Sequence, residues 1–493
     1  MKIAVVLYVD EGMTDSQLAF KGDYLPEVLK HRLSAVPDSS VYYSVPAAYK
    51  GTLSGAPGAC VRDDRDDISF WKRFFTEADC EHALKVYADS PFLDAGIVIE
   101  MLDLHRRYLA EFTYSENLPA GYACEIMSRE LVQSVPDSKE ALMPLGDAVR
   151  KNINQFDVEL FYKDPDIRDK RLNFRSGDPR EHKILENLAE VGGGVPPYVS
   201  VRDLIHAHPE TLYAGPSYLE VELTGRCDLE CIFCYRSAVT RARPDIDPGV
   251  YRKILSDMRG FGLPYSISLG GSGEPLMHGS FYELCDAALR EEVVQNLVIE
   301  TNAIYADDNF RSFIAEKRDP RIKVIANMNG YNGETYRTIH GKDYFSPASN
   351  HLIALREFLP GKESLYVQIM KINETEAFLD DFYDFWEKAG VTVLLQKQNT
   401  YMGRLKDRRY SDLSPLDRTP CWHLQRDLFI LSDGRVAFCK QDIEGVCAKG
   451  DVSGESLGDI WQRALPFFLS DYRGEFPGAP DCASCDEWYT FNL

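Results

Sequence analysis

No apolar stretch in the 493 residues approaches the roughly 18 needed to span a bilayer. The opening segment, Met1-Lys-Ile-Ala-Val-Val-Leu-Tyr-Val-Asp10, has too short an apolar run for a signal peptide and meets an acid with no small-residue cleavage site. Both absences lead to the expectation of a soluble, cytoplasmic protein with no membrane partner. Positive charge is also scarce: 55 Lys and Arg stand against 77 Asp and Glu, a net charge of −22. With no basic stripe to release counterions from a phosphate backbone, nucleic acid is not expected as a partner. Cysteine is sparse early in the chain. Of twelve, only Cys60, Cys80 and Cys124 precede residue 200, and they share no spacing. The other nine include close groups, a skew that fits metal-bound thiolates in a reducing compartment better than a disulfide framework.

The length exceeds what one hydrophobic core serves. The run Val191-Gly-Gly-Gly194-Val-Pro196-Pro197 combines flexibility with a proline stop, which reads as a boundary. Four stretches are expected: a domain over 1–190, a linker over 191–215, a barrel over 216–400 and a small cysteine-rich domain over 401–493.

The most informative stretch is Thr224-Gly-Arg-Cys227-Asp-Leu-Glu-Cys231-Ile-Phe233-Cys234-Tyr. Three thiolates at C-x3-C-x2-C spacing can hold three corners of a cubane iron–sulfur cluster and leave one iron open, whereas a closed structural site needs a fourth ligand. A three-cysteine fragment of a zinc site, completed elsewhere, is the competing reading. Six apolar or β-branched segments, Tyr218–Leu223, Tyr265–Leu269, Asn296–Glu300, Ile322–Ala326, Leu365–Met370 and Val391–Leu395, are each followed by a helix-length stretch. That alternation predicts a parallel sheet of six βα units with functional residues at the C-terminal strand ends. The cysteine loop follows the first strand, and Leu269-Gly270-Gly271-Ser-Gly273-Glu274-Pro275 follows the second. Glycines there allow close approach of backbone to a ligand, and Glu274 can accept a hydrogen bond from an ammonium. At the sixth strand the chain turns polar, Gln396-Lys397-Gln398-Asn399-Thr400-Tyr401, as either a substrate-gripping mouth or a solvated rim.

The cysteine loop with Phe233, followed on the next strand by the glycine turn, resembles the radical SAM enzymes. The resemblance implies a partial (β/α)6 barrel and a [4Fe–4S] cluster on Cys227, Cys231 and Cys234, with S-adenosyl-L-methionine chelating the open iron. It also implies one-electron cleavage to a 5′-deoxyadenosyl radical that takes hydrogen from substrate. Phe233, Gly271, Gly273 and Glu274 are then cofactor-binding residues. Asn302, in Thr301-Asn302, and Asn327 stand where the family contacts the cofactor's ribose, although asparagines at strand ends are as often turn formers. The stretch Tyr336-Arg-Thr-Ile-His340-Gly341 is typical of the same fold, with His340 read as structural.

Cys421, Cys439, Cys482 and Cys485 form a C-x17-C-x42-C-x2-C set, the second thiol following a hairpin turn at Gly434. Four cysteines make a complete shell for an iron–sulfur cluster or for zinc. The set resembles the SPASM and twitch extensions of radical SAM enzymes, which implies one auxiliary [4Fe–4S] cluster with Cys447 outside it.

The N-terminal region reads as layered α/β, with strands at Ile3–Val9 and Ser40–Val45, a helix at Leu25–Leu33, and helical periodicity from Val98 to Phe112. His105 lies on that apolar face and reads as a satisfied core histidine. Ala88-Asp89-Ser-Pro91 and Gly121-Tyr-Ala-Cys-Glu125 resemble nucleotidyltransferases of the cytidylyltransferase type, which would make Asp89 a Mg²⁺ ligand. The loop after the first strand, Val9-Asp-Glu-Gly12-Met-Thr-Asp-Ser, departs from that family's glycine- and arginine-rich phosphate cradle, since an acidic loop repels phosphate. A degenerate domain is expected. The combination resembles the spiro-SPASM family.

The expectation for the whole chain is an α/β enzyme of three domains with two clusters, acting on a carbohydrate or nucleotide sugar by oxidation or epimerisation. Peptide or protein modification and a non-catalytic metal-stabilised scaffold are the alternatives. A flavodoxin or ferredoxin would be the reductant.

Overall fold

The apolar run at the start of the chain forms strand β1 (Ile3–Tyr8), buried at every position, as a strand covered on both faces should be. The computed structural model describes residues 2–63, 67–136, 143–412, 414–476 and 482–490. They divide into two units, Met1–Ala214 and Gly215–Leu493.

In the first unit β1 is followed by a short hairpin, β2 (Ala19–Phe20) and β3 (Asp23–Tyr24), and then by β4 (Ser39–Pro46), β5 (Ala59–Arg62), β6 (His82–Tyr87), β7 (Phe112–Ser115), β8 (Glu125–Ser128) and β9 (Val158–Phe161). The main sheet runs β5-β4-β1-β6-β8-β7-β9. β1 is parallel to β4 and β6, while β8 is antiparallel to both β6 and β7. The expected helix at Leu25–Leu33 is present. The periodicity from Val98 yields a helix over Ala95–Tyr108, capped by Asp94, that buries Ile97, Val98, Met101, Leu102 and His105. It does not reach Phe112. Leu109 turns left-handed at φ 53° and ends the helix, so Phe112 opens β7 instead. The stretch 191–215 carries the helix Tyr198–Ala207, whose Tyr198, Val201 and Ile205 are buried.

In the second unit the six expected strands are β10 (Tyr218–Glu222), β11 (Tyr265–Gly270), β12 (Val294–Thr301), β13 (Ile322–Asn327), β14 (Leu365–Lys371) and β15 (Thr392–Lys397). All neighbouring pairs are parallel, and helices separate the strands in sequence. The sheet does not stop at β10. β16 (Asp427–Ile430) lies parallel against it with Tyr218 opposite Asp427, and β17 (Arg435–Ala437) and β18 (Gly450–Asp451) extend it antiparallel. The hairpin turn at Gly434 has φ 92°, a conformation open to glycine, and leads into Cys439. No helix among the described residues is long and apolar enough to cross a membrane.

Candidate active site

The loop after β10 carries Cys227, Cys231 and Cys234. Its backbone docks on the end of the helix Gly333–His340: Glu230 N–H donates to the His340 carbonyl at 3.1 Å and Ile232 N–H to the Ile339 carbonyl at 3.0 Å. The Arg236 guanidinium donates to the carbonyls of Cys227, at 2.8 Å, and Leu229, drawing the loop's acceptors away from the thiols. The loop therefore has a fixed shape before any ligand is considered. All three thiols line one cavity of about 510 Å³, within the roughly 300–1,000 Å³ range of small-molecule sites. Burial pushes each thiol above its ordinary value, and Cys231 additionally feels the charges of Cys234 and Cys227. Thiols held this way in one cavity suit a group that takes them as thiolates and offsets the cost of ionising them.

The glycine turn after β11 forms the adjoining wall. Gly271 has φ 92°, and a Cβ on it would stand 2.9 Å from the Glu222 side chain. A Cβ on Gly273 would stand 2.0 Å from the Thr224 carbonyl oxygen, so this position packs directly on the start of the cysteine loop. Glu274 is buried, and its carboxylate accepts from Thr301 Oγ1 (2.7 Å), the Asn302 amide (2.7 Å) and the Leu276 amide (3.2 Å). Burial pushes it up to about 7 against the pull of those donors. Glu274 is thus a brace between the ends of β11 and β12 that also faces the cavity.

Asn302 and Asn327 both line the cavity. Asn302 Nδ2 lies 3.8 Å from Cys227 Sγ while its Oδ1 accepts from the Ile304 amide, and Asn327 Oδ1 accepts from Gln368 Nε2 at 2.6 Å. Phe233 lines the same space, edge-on to the His340 ring at 6.1 Å.

Several residues of the site were not singled out from sequence. His340, expected to be structural, is buried with Nε2 against the Met328 carbonyl at 2.9 Å and Nδ1 3.0 Å from Cys231 Sγ. Burial lowers it to about 4, so it is a neutral imidazole against a thiol. Its sequence signal, the stretch Tyr336-Arg-Thr-Ile-His340-Gly341, carries no mark of the thiol it meets. Glu222 accepts from the Ser272 amide, from Ser432 and from Arg241, whose guanidinium is 2.9 Å away. Arg241 also donates to the Ile443 carbonyl, and the Glu444 carboxylate receives the amides of Thr240 and Arg241. One buried ion pair thus ties the cysteine loop and the glycine turn to the β16–β17 hairpin. On the same side Lys440, next to Cys439, donates to Glu220 at 2.8 Å. Burial pulls Lys440 down, but Glu220 and Glu300 outweigh it and hold the ammonium well above its ordinary value. Of the polar run after β15, Gln396, Lys397, Asn399 and Tyr401 line the cavity, and Tyr401 packs on Tyr235 with ring centroids 4.7 Å apart.

Cys421, Cys439, Cys482 and Cys485 lie close enough to feel one another's charge, and burial raises all four, Cys482 to about 11. Arg418 donates to the Cys482 carbonyl at 2.7 Å and to Asp471, whose other oxygen receives the Cys421 amide at 2.6 Å. Sequence-distant thiols are thereby drawn together around one arginine. Among the described residues no three His, Cys, Asp or Glu side chains close around a point that one metal ion would fill.

The Mg²⁺ reading of Asp89 does not fit. Asp89 is 1% exposed, and its two oxygens accept from Arg175 Nε at 2.9 Å and the Gly177 amide at 3.1 Å. The same guanidinium pairs with Asp10 and lies over the Tyr87 ring at 3.8 Å. A resident cation already stands between the two carboxylates, and a divalent ion would have to expel it. Asp15, in the acidic loop, is likewise committed as an acceptor to Tyr49 and Thr52.

Residues 221–385 match the Radical SAM superfamily, and residues 421–486 match the SPASM iron–sulfur cluster-binding domain. An uncharacterized protein of Treponema pallidum is 28% identical over 70% of this chain and 98% of its own length. A probable GTP 3′,8-cyclase of Methanothermobacter thermautotrophicus is 23% identical over 40% of this chain and 64% of its own length. Among solved structures, SuiB of Streptococcus suis bound to the precursor peptide SuiA superposes on 59% of this chain and 74% of its own, at 16% identity and TM-score 0.45.

Proposed function

From a chain that carries a Radical SAM domain followed by a SPASM domain, we propose an enzyme that removes hydrogen from a small polar substrate, oxidising or epimerising a carbohydrate or nucleotide sugar. The observation that carries this reading is the single cavity shared by the three thiols of the cysteine loop, the glycine turn and a polar far wall. Cys227, Cys231 and Cys234 would hold a [4Fe–4S] cluster with one open iron. Together with S-adenosylmethionine and one electron from a flavodoxin or ferredoxin, that cluster supplies a 5′-deoxyadenosyl radical when bound.

The chain's own residues do the positioning. Gly271 and Gly273 keep the turn's backbone at the cavity surface, where its carbonyls and Glu274 would receive the ammonium of a bound S-adenosylmethionine. Asn302 and Asn327 would present amides to ribose hydroxyls, and Phe233 with Leu229 makes part of the cavity lining apolar. Cys421, Cys439, Cys482 and Cys485 would hold an auxiliary [4Fe–4S] cluster, and four thiolates leave it no position for substrate. Such a cluster would serve as an electron relay, which suits a net oxidation.

Modification of a peptide or protein is the second reading, favoured by the SPASM match. Anaerobic reconstitution tests the enzyme itself: about eight irons per chain and 5′-deoxyadenosine on reduction are expected. Zinc in both sites with no cleavage of S-adenosylmethionine would replace the enzyme with a metal-stabilised scaffold. Deuterium transfer from labelled sugar or labelled peptide then decides the class.

A further inference from the structure

The turn after β12 is fixed from several sides at once. Thr301 Oγ1 and the Asn302 backbone amide both donate to Glu274, and the Ala303 amide donates back to Thr301 Oγ1 at 3.0 Å. Ala303 is left-handed at φ 62°, a conformation that a residue with a Cβ adopts at a cost. The Ile304 amide donates to Asn302 Oδ1 at 3.0 Å. A backbone donor at one end of the Asn302 side chain identifies that end as the oxygen, so the other end, 3.8 Å from Cys227 Sγ, is the NH2 group. Asn302 is only 6% exposed, and it shares the cavity with Cys227. The strained turn therefore aims an N–H at one particular sulfur.

We infer that Asn302 donates an N–H···S hydrogen bond to Cys227 as a ligand of the cluster, and that this bond raises the cluster's reduction potential. The inference rests on the enzyme reading, and deepens it by naming a residue that governs how readily the electron is taken up. A thiolate that accepts an N–H sheds part of its negative charge. The reduced cluster gains more from that than the oxidised one, because it carries one electron more. The second N–H of the same amide stays available to a ribose hydroxyl. Asn302 thus acts on the reaction through Cys227.

Redox titration of the anaerobically reconstituted full chain, followed by EPR, tests the assignment. The signal that changes on adding S-adenosylmethionine reports the cluster with the open iron, and the signal that does not reports the auxiliary one. Asn302→Leu removes the donor without adding charge. Asn302→Asp also removes it, but keeps the oxygen that holds the Ile304 amide and so keeps the turn. In each variant the ratio of reduced to oxidised open-iron cluster at the wild-type midpoint is expected to fall by at least roughly two- to ten-fold, the net worth of one hydrogen bond. The auxiliary midpoint should stay where it is. Pulsed EPR of the wild-type reduced cluster, in protein labelled with ¹⁵N at the asparagine side-chain amides, should show a ¹⁵N coupling, and this readout decides if a variant loses iron at the first site. An unchanged midpoint in both variants, equal shifts at both clusters, or no ¹⁵N coupling overturns the hydrogen bond. Wild-type formation of 5′-deoxyadenosine alongside any of these leaves the enzyme reading standing, whereas a first site that takes no iron removes that reading and the hydrogen bond together.

Discussion

Gly273 has room for a hydrogen and nothing larger. Placing a methyl 2.0 Å from the Thr224 carbonyl and 2.9 Å from that of Arg226 forces the glycine turn off the cysteine loop. Gly273→Ala is therefore expected to weaken S-adenosylmethionine binding by on the order of ten-fold or more, as displaced pre-organised contacts do, measured by equilibrium binding to the anaerobically reconstituted protein. His105 supports a prediction of a different kind. It is 1% exposed, bonded to Thr113 and His82, and lowered by burial from 6.5 to about 3. Between those values the unfolded chain binds a proton that the folded chain refuses, so stability falls as pH drops through that window. His105→Asn should flatten that dependence, seen as a smaller difference between urea unfolding curves at neutral and mildly acidic pH. The glycines, the three cysteines of the loop after β10 and the core histidine were legible because their meaning lies in spacing of a few residues. The roles of Arg175 and Lys440, and the thiol contact of His340, were not. Their partners lie 86, 220 and 109 residues away, and a lone charged or aromatic side chain carries no mark of what it will meet.

At the scale of elements, the cysteine loop is a strap between the end of β10, the tip of the helix Gly333–His340 and the hairpin after β16. The Glu222–Arg241 pair is the buried part of that strap, with side chains 4% and 6% exposed. Arg241→Ala leaves a buried carboxylate without its cation, and about 3–5 kcal/mol of stability should be lost, read from denaturant melts of the full chain. Reducing iron content at the first site is a separate manipulation: replacing Cys227, Cys231 and Cys234 together by Ala should lower bound iron from about eight to about four per chain. If iron falls to zero instead, the four C-terminal cysteines do not form an independent site. Although the described residues form no helix between β15 and Trp422, the five βα units before it and the positions of all six strands were legible from alternation alone, down to strand ends within two residues. The end of the helix Ala95–Tyr108 was not, because apolar residues at helical spacing continued past a left-handed turn that no periodicity records.

For the whole molecule, the unseen fact was that β16 pairs with β10. Strand order depends on which edges remain unpaired after the rest of the chain has folded, and short strands such as β16 carry little pattern of their own. The division at 214/215 yields a direct test: the chain from Gly215 onward, expressed alone, should retain iron and show a single cooperative melt. Failure to accumulate or to bind iron would make the first unit necessary for the second. The β10–β16 pairing also dictates an order of events during synthesis. Ser217 and Arg426, which meet across that edge, lie 209 residues apart, so the first three thiols leave the ribosome long before the strand that covers their neighbour has been made. Cofactor loading at that stage would take place on a nascent chain with a bare sheet edge, a template for mispairing.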